Sequence, residues 1–290
     1  MIISLENAQI SASFSTKGGE LQRLKSKQSS LEYLWNGDSK FWGKFSPILF
    51  PIVGGLKEDT YFFEEKAYQL PRHGFARDRE FEAHKIGENE VLFLLKDDAE
   101  SLKVYPFNFQ LGLRYQLLEN TLRCSYEVLN SGDKDLWFSI GGHPAFSVPL
   151  NSSLNYDDYY LEFNKDQQLN AHQVSNNLIE EETESIPLTS EGQLPLNHPL
   201  FYHDALVFKD LKSNKISLKS DKDPHGLDFH FEAFPFFGIW AAKDADFVCL
   251  EPWCGIADGV HHDQDLTKKE GMTKLAPGNE WFRHWEVTCF

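Results

Sequence analysis

The chain has 290 residues, a net charge of −16 and an aromatic content of 14%. Its length allows a large buried core, and its charge disfavours nucleic acid and anionic membranes as partners, because both select basic proteins. The 24 Phe, 10 Tyr and 7 Trp residues are typical of β-strands and of surfaces that stack on sugar rings.

The first residues and the cysteines indicate a cytoplasmic protein. Residues 1–14 have no basic segment followed by a long apolar core, so we expect no signal peptide. No apolar run approaches the ~20 residues of a membrane-spanning helix. The four cysteines are scattered and form no C-x-x-C pair. Cys124, Cys249 and Cys289 lie in apolar, strand-like runs, which predicts buried free thiols.

Apolar and polar residues alternate along much of the chain, which is the period of a half-buried β-strand. In LRCSYEV, for example, Leu122, Cys124, Tyr126 and Val128 fall on one face. The pattern predicts strands at residues 91–96, 111–118, 122–128, 136–142, 158–163, 204–208, 227–234, 237–242, 247–251 and 281–290.

Helix signals are sparse. Residues 38–42 and 266–272 could each form one short turn. Many short strands without intervening helices predict an all-β fold, an antiparallel sandwich or barrel, in a single domain of residues 1–290. Residues 176–199 are rich in glutamate and contain several prolines, and we expect an exposed excursion there.

Residues 70–81 (LPRHGFARDREF) concentrate positive charge in an otherwise acidic chain. Arg72, His73, Arg77 and Arg79 surround Gly74, which predicts a tight turn with a backbone conformation that other residues resist. A solvated basic turn would account for this cluster. One wall of a pocket for an anion or a sugar would account for it equally well.

Two further stretches place titratable residues at the ends of apolar strands. In GGHPAF, His143 follows two glycines that permit close backbone approach, and its ordinary pKa of ~6.5 suits a general acid. In FVCLEPW, Glu251 ends a buried strand beside Trp253, an apolar wall that raises a carboxyl pKa or stacks on a sugar. The alternatives are a core histidine bonded to a carbonyl and a salt bridge from Glu251, for instance to Arg283.

Two histidines and a glutamate on separate strands are compatible with a metal-free acid–base site and with a metal site. Metal ligands would usually show an H-x-H or H-E-x-x-H spacing, which this sequence lacks. His261 and His262 are adjacent, and neighbours on an extended chain point to opposite sides. We therefore expect neither a metal ion nor another cofactor.

Six stretches, in order along nearly the whole chain, resemble the aldose 1-epimerase (galactose mutarotase) family in its LacX-like branch. They are FSPILFPIVGGL (residues 45–56), HGFAR (73–77), GGHPAF (141–146), DALVF (204–208), CLEPW (249–253) and LAPGNEW (275–281). The resemblance implies a large β-sandwich of the galactose-mutarotase type, with a carbohydrate cleft on one sheet.

The same resemblance implies roles for individual residues. Glu251 matches the catalytic base and His143 the acid. His73 matches a histidine that holds the sugar ring, and Asp204 matches a substrate-binding aspartate.

One departure from the family pattern concerns an arginine that better-known galactose mutarotases carry shortly after the glycine of the first motif. This chain reads GGLKE there, with Lys57 in the segment. We expect Lys57 or Arg77 to replace that arginine and to contact sugar hydroxyls, with Trp253 as a further part of the binding surface.

The implied reaction interconverts the α and β anomers of an aldohexose. A base removes the proton of the C1 hydroxyl while an acid protonates the ring oxygen, the ring opens, the C1–C2 bond rotates, and the ring closes on the other face. An ionised Glu251 and a protonated His143 would suffice, each contributing ~10² to 10⁴ in rate. The expected partner is a small sugar.

Three alternatives stay open. A hexose-6-phosphate mutarotase would use arginine to hold the phosphate. A non-catalytic carbohydrate-binding or sugar-sensing protein would account for the aromatic residues but has no need of Glu251 and His143. A glycoside hydrolase would require a second carboxylate, for which Asp204 and Asp258 are candidates.

Overall fold

The structure is a computed structural model that describes residues 1–290, and its regular elements are almost all β-strands. The helices are single turns, and none has the length and apolar character needed to cross a membrane. They are α1 (Ser101–Val104) and 3-10 turns at Lys57–Asp59, Ala76–Asp78, Tyr156–Asp158, His198–Phe201 and Leu266–Lys268. The strands are β1 (Ile2–Glu6), β2 (Ile10–Ser15), β3 (Glu20–Ser26), β4 (Ile48–Leu49), β5 (Thr60–Phe63), β6 (Lys66–Gln69), β7 (Glu82–Lys85), β8 (Glu90–Lys96), β9 (Gln110–Leu118), β10 (Thr121–Leu129), β11 (Leu136–Phe138), β12 (Ile140–Gly142), β13 (Ala145–Ser147), β14 (Tyr160–Phe163), β15 (Gln168–Ser175), β16 (Leu178–Pro187), β17 (Gln193–Pro195), β18 (Leu206–Phe208), β19 (Lys215–Ser220), β20 (Asp223–His230), β21 (Phe236–Trp240), β22 (Phe247–Cys254), β23 (Thr273–Leu275) and β24 (Glu280–Cys289).

Two large antiparallel sheets contain most of the strands. One has nine strands in the order β17-β14-β19-β20-β24-β10-β9-β8-β7. The other has eight, of which seven follow the order β16-β15-β18-β21-β22-β12-β4 while β13 pairs with β22. Three small sheets, β1-β2-β3, β5-β6 and β11-β23, complete the fold.

The two large sheets pack face to face across an aromatic core. Phe229 of β20, in the nine-stranded sheet, has its ring centroid 5.9 Å from that of Phe146 in β13 and 6.1 Å from that of Phe237 in β21. Trp285 of β24 is buried and stacks on Phe229 at 5.4 Å. Each sheet therefore buries one apolar face against the other, and the predicted antiparallel β-sandwich is confirmed.

Several elements differ from the prediction, each for an identifiable reason. Residues 176–199 are largely exposed, as expected, but they contain strands: β16 is the edge strand of the eight-stranded sheet, where charged side chains block further pairing, and β17 is the edge strand of the nine-stranded sheet. Residues 136–142 form two strands, β11 and β12, that pair in different sheets. The strands β1 to β3 lie outside the predicted set, although Ile10, Ala12 and Phe14 of β2 are buried and alternate with serines, an alternation that the prediction overlooked.

Strand β22 lies inside the eight-stranded sheet and carries Glu251. It is buried along its whole length. The side chains of Cys249, Glu251 and Trp253, which are two residues apart, point to the same face of the sheet. On one side it pairs with β21, and on the other with β12 and β13. The pairs Gly141–Trp253 and Ala145–Cys249 flank the break between β12 and β13, so the register places His143 opposite Glu251.

Candidate active site

The face of β22 that carries Glu251 forms the floor of a cavity of about 150 Å³. Five of the seven predicted site residues line it. The lining consists of the predicted Glu251, His143, His73, Arg77 and Trp253, together with Trp42, Arg72, Ala205 and Trp240. A larger cavity, of about 540 Å³, lies elsewhere and is lined mainly by amide and hydroxyl side chains. Chemistry rather than size therefore marks the smaller cavity as the candidate site.

Glu251 and His143 lie side by side on the cavity floor. His143 Nε2 lies 3.4 Å from Glu251 Oε2, and the two side chains are 9% and 2% exposed. Trp42 stacks on the imidazole with a centroid distance of 4.9 Å, and Trp240 meets it edge-on at 5.6 Å. Glu251 makes no ion pair with Arg283, so the salt-bridge alternative does not apply.

Burial governs the protonation of this pair. It raises the pKa of Glu251 to about 8, an effect that the positive charge of Arg72 partly opposes. Burial also lowers the pKa of His143 to about 3, and the charges of Arg72 and Arg77 act in the same direction. At neutral pH the proton therefore resides on Glu251 in the sugar-free protein. This is the reverse of the expected ionised glutamate and protonated histidine, because burial disfavours both charges.

The turn that carries His73 has the strained backbone expected for it. His73 and Gly74 have φ angles of 70° and 69°, in the left-handed region. A Cβ on residue 74 would collide with the carbonyl oxygen of Phe50, so only glycine fits. The turn holds the buried His73 side chain at the cavity wall.

The imidazole of His73 is approached by two hydrogen-bond donors. Gly54 N donates to Nδ1 at 3.1 Å, and Arg72 Nε lies 3.1 Å from Nε2. Burial and the charge of Arg72 hold the pKa of His73 well below its usual value, so the ring is neutral and accepts one hydrogen bond only. The ring can therefore accept from Gly54 N or from Arg72 Nε but not from both, and the other donor is left without an acceptor. A ligand oxygen at this point would accept from the donor that the ring leaves free.

Glycines on the flanking strands make room for Trp253. A Cβ on Gly141 in β12 or on Gly238 in β21 would collide with the indole ring, so the ring lies across both neighbouring strands. Its Nε1 is close enough to lower the pKa of Glu251, a smaller effect than burial, but does not reach hydrogen-bond geometry and stays buried without a partner. A buried donor without a partner costs about 1–3 kcal/mol, which a ligand oxygen would recover.

The basic cluster of residues 70–81 divides between the cavity and the surface. Arg77 Nη2 donates to Arg72 O at 2.8 Å, and Arg77 Nε is buried without a partner. The Asp78 carboxylate is 3.8 Å from Arg77, too far for a close ion pair. Arg79 instead pairs with Asp98 at 3.4 Å. One wall of the cavity is therefore cationic.

Lys57 lies outside the cavity, which corrects the expectation that it contacts sugar hydroxyls. Its Nζ donates to Val260 O at 3.2 Å, and its backbone N donates to Asp258 Oδ2 at 3.0 Å. These bonds tie the segment to the loop that follows β22. The arginines that line the cavity are Arg72 and Arg77.

Asp204 lies at the rim. Its Oδ1 accepts from Ala205 N at 2.7 Å, and it lines a neighbouring cavity of about 380 Å³ that meets the first at Ala205. Its negative charge contributes, after burial, to the raised pKa of Glu251.

Four residues at the site are absent from the predicted set. The sequence contained an indication for Arg72, because it belongs to the basic cluster of residues 70–81. It also contained one for Cys249, because this residue precedes Glu251 by two residues on an extended strand and therefore shares its face. It contained none for Trp42 and Trp240, since their positions depend on contacts with His143 that the sequence does not display.

Comparison with known proteins assigns the family. The sequence model of the family described as aldose 1-epimerase matches residues 1–286. The chain belongs to the aldose 1-epimerase family. It is 33% identical to the plasmid-encoded protein LacX of Lactococcus lactis subsp. lactis, with 99% of each chain covered. The family resemblance and its LacX-like branch are thereby confirmed.

Solved structures of family relatives share the fold. A galactose mutarotase related enzyme from Lactobacillus acidophilus superposes with a TM-score of 0.94 at 35% identity, covering 100% of this chain and 97% of the other. A galactose mutarotase-like protein from Lactobacillus casei gives a TM-score of 0.93 at 31% identity, covering 100% of both chains. The fold is therefore that of the galactose mutarotases.

Proposed function

We propose that the protein is an aldose 1-epimerase that interconverts the α and β anomers of a free aldohexose. The observation that carries the proposal is the Glu251–His143 pair, 3.4 Å apart on the floor of a cavity with three tryptophans in its lining. An acid and a base at this spacing serve the two sugar oxygens that exchange protons in ring opening. Aromatic faces provide the apolar walls on which a sugar ring stacks.

In the proposed mechanism the pair carries one proton at the start of each cycle. Sugar hydroxyls entering the dry cavity offer hydrogen bonds to charged groups, and the proton moves from Glu251 to His143. Glu251 then takes the proton of O1 while His143 gives its proton to the ring oxygen, and the bond between C1 and the ring oxygen breaks to leave an aldehyde. After rotation about C1–C2 both transfers run in reverse. The side chains of His73 and Arg72 hold a sugar oxygen meanwhile.

Exchange between anomers, measured by NMR at equilibrium, tests the proposal. The protein should raise the exchange rate of at least one aldohexose above the spontaneous rate, in proportion to its concentration. Sugar binding without faster exchange would favour a sensing protein instead.

The hydrolase alternative has little support in the cavity. Glu251 is the one carboxylate in its lining. Asp258 is buried and bonded to Lys269 Nζ at 2.9 Å, which makes it a structural residue. A hydrolase needs two carboxylates at the scissile bond. Ring opening requires only the pair that is present.

A hexose-6-phosphate is the second candidate substrate, and the cationic wall favours it. Arg72 and Arg77 line the cavity, and the one carboxylate there is held protonated at neutral pH. Phosphate binds well to arginine. We propose the free sugar because the unpaired indole donor of Trp253 and the polar side chains of His73 and Arg72 also suit neutral hydroxyls.

Comparing kcat/KM for glucose and galactose with their 6-phosphates distinguishes the two candidates. We expect values for sugar and phosphate within a factor of about 100 of each other. A larger preference for the phosphates that Arg77→Ala abolishes would overturn the choice of the free sugar. Arg79→Ala is the matched control, because Arg79 pairs with Asp98 outside the cavity.

Variants of Arg72, which lines the cavity, and of Lys57, which does not, form a second matched comparison. Arg72→Ala should raise KM and lower kcat/KM by ~10- to 100-fold, because a charged hydrogen bond is worth about 1.5–3 kcal/mol. Lys57→Met should change kcat/KM by less than about threefold and act mainly on thermal stability, since Lys57 bonds Val260. An equal loss of kcat/KM in Lys57→Met would contradict this expectation and show that Lys57 takes part in sugar binding.

A further inference from the structure

His143, Cys249 and Glu251 form a cluster of three metal-binding side-chain types beneath the cavity. A ring nitrogen, the Cys249 Sγ and a carboxylate oxygen all lie within 4.8 Å of one another, and all three residues are buried. The proposed epimerase mechanism uses two of them and leaves Cys249 without a role. We propose that this cluster binds a zinc-group cation, Zn²⁺ or Cd²⁺, which blocks the acid–base pair. The inhibitory consequence rests on the proposed function, whereas binding does not.

The donor set and its spacing suit such an ion. Zinc takes sulfur, nitrogen and oxygen ligands at about 2.0–2.3 Å in a tetrahedron, which sets ligand atoms roughly 3.3–3.8 Å apart. His143 Nε2 and Glu251 Oε2 are already 3.4 Å apart. The three ligand atoms lie within 4.8 Å of one another, so the cluster must contract by up to about 1 Å to hold the ion. His143 and Glu251 line the cavity, so the ion reaches the cluster from there.

The neighbouring charges permit binding. Arg72 and Arg77 line the same cavity and repel a free cation. The thiolate of Cys249 and the carboxylate of Glu251 together balance the two positive charges of the ion, so the arginines face a neutral centre. Binding replaces the S–H bond by a metal–sulfur bond, and the displaced protons leave to solvent.

The site is built for reversible binding rather than for a resident ion. In resident sites the second ring nitrogen of a ligating histidine usually donates to a carboxylate or carbonyl, and losing that bond costs ~10- to 100-fold in affinity. His143 Nδ1 is buried without a partner. The same site therefore accepts a sugar when the cation is absent and excludes it when the cation is bound.

Titration of the whole metal-free chain with Cd²⁺, without sugar, tests binding directly. We expect one Cd²⁺ per chain and an ultraviolet thiolate-to-cadmium charge-transfer band. Cys249→Ser should abolish the band. Cys254→Ser should keep it, because this buried cysteine lies on the opposite face of the same strand. Cys249→Ala repeats the test if a buried hydroxyl prevents folding. Uptake without the band, or a band that survives both Cys249 variants, would overturn the proposal.

Measuring anomer exchange in the presence of Zn²⁺ tests whether the bound cation blocks the acid–base pair. The rate of each protein is divided by the rate of the same protein without metal. Cys249→Ala should raise the Zn²⁺ concentration for half-inhibition by ~10-fold or more, while Cys254→Ser leaves it unchanged. Equal inhibition of wild type and Cys249→Ala would contradict a role for the thiol. A wild-type protein without exchange activity would contradict the proposed function, and the Cd²⁺ titration would still decide the metal site.

Discussion

Replacing Glu251 by glutamine is expected to lower kcat/KM for anomer exchange by ~10² or more. Glutamine keeps the shape of the side chain, but its amide can neither hold the proton of the pair nor accept the proton of O1. The measurement is NMR exchange at several protein concentrations. Retained activity in a folded Glu251→Gln protein would contradict the assignment of Glu251 as the base.

The stability of the same variant provides its folding control. Burial raises the pKa of Glu251 to about 8 in the folded protein, against an ordinary 4.5 when the chain is unfolded. Ionising Glu251 therefore costs more free energy in the folded protein than in the unfolded chain. This destabilisation of the folded protein is absent below pH 4.5, grows as the pH rises, and reaches its full size above about pH 8. Glu251→Gln lacks this cost. Denaturant unfolding should find the variant more stable relative to wild type at pH 9 than at pH 5.

Replacing His143 by asparagine is expected to lower kcat/KM by ~10² or more and to leave its alkaline limit in place. The active pair holds one proton, which is lost from Glu251 with a pKa of about 8, while a second proton adds to His143 with a pKa of about 3. The wild-type kcat/KM should be level near neutrality and fall above about pH 8. These limits belong to the pair as a whole.

The pH profiles of the two variants separate the residues. The fall above pH 8 should persist in His143→Asn, because Glu251 still titrates, and should disappear in Glu251→Gln. Loss of the alkaline limit in His143→Asn would instead show that His143 holds the proton in the free protein. His262→Asn is the matched control, since His262 is a half-buried histidine that accepts from Gln264 N at 3.0 Å outside the cavity.

The β-sandwich was predictable where a strand has one buried face. In β10 the alternation visible in the sequence is the alternation of burial, because the strand lies inside the nine-stranded sheet and packs on the core. The rule does not extend to β16, an edge strand that is exposed on both faces over residues 181–185 and for which the sequence predicted only an exposed excursion. It also fails at Pro252, where β22 continues for three residues beyond its predicted end.

The candidate site divides in the same way between local and long-range information. The sequence by itself determined that Glu251 lies in an apolar strand, that His143 follows a glycine pair and that His73 lies in a glycine turn. It thereby marked all three as candidates for acid–base chemistry, because strand alternation and turn glycines are local properties. Only the tertiary structure decided that the register across β22 sets His143 opposite Glu251, with Cys249 beneath them. It also decided that burial places the proton on Glu251, because desolvation depends on every element that covers the pair. Lys57 is excluded from the cavity by bonds to residues distant in the chain, and no local pattern encodes such bonds.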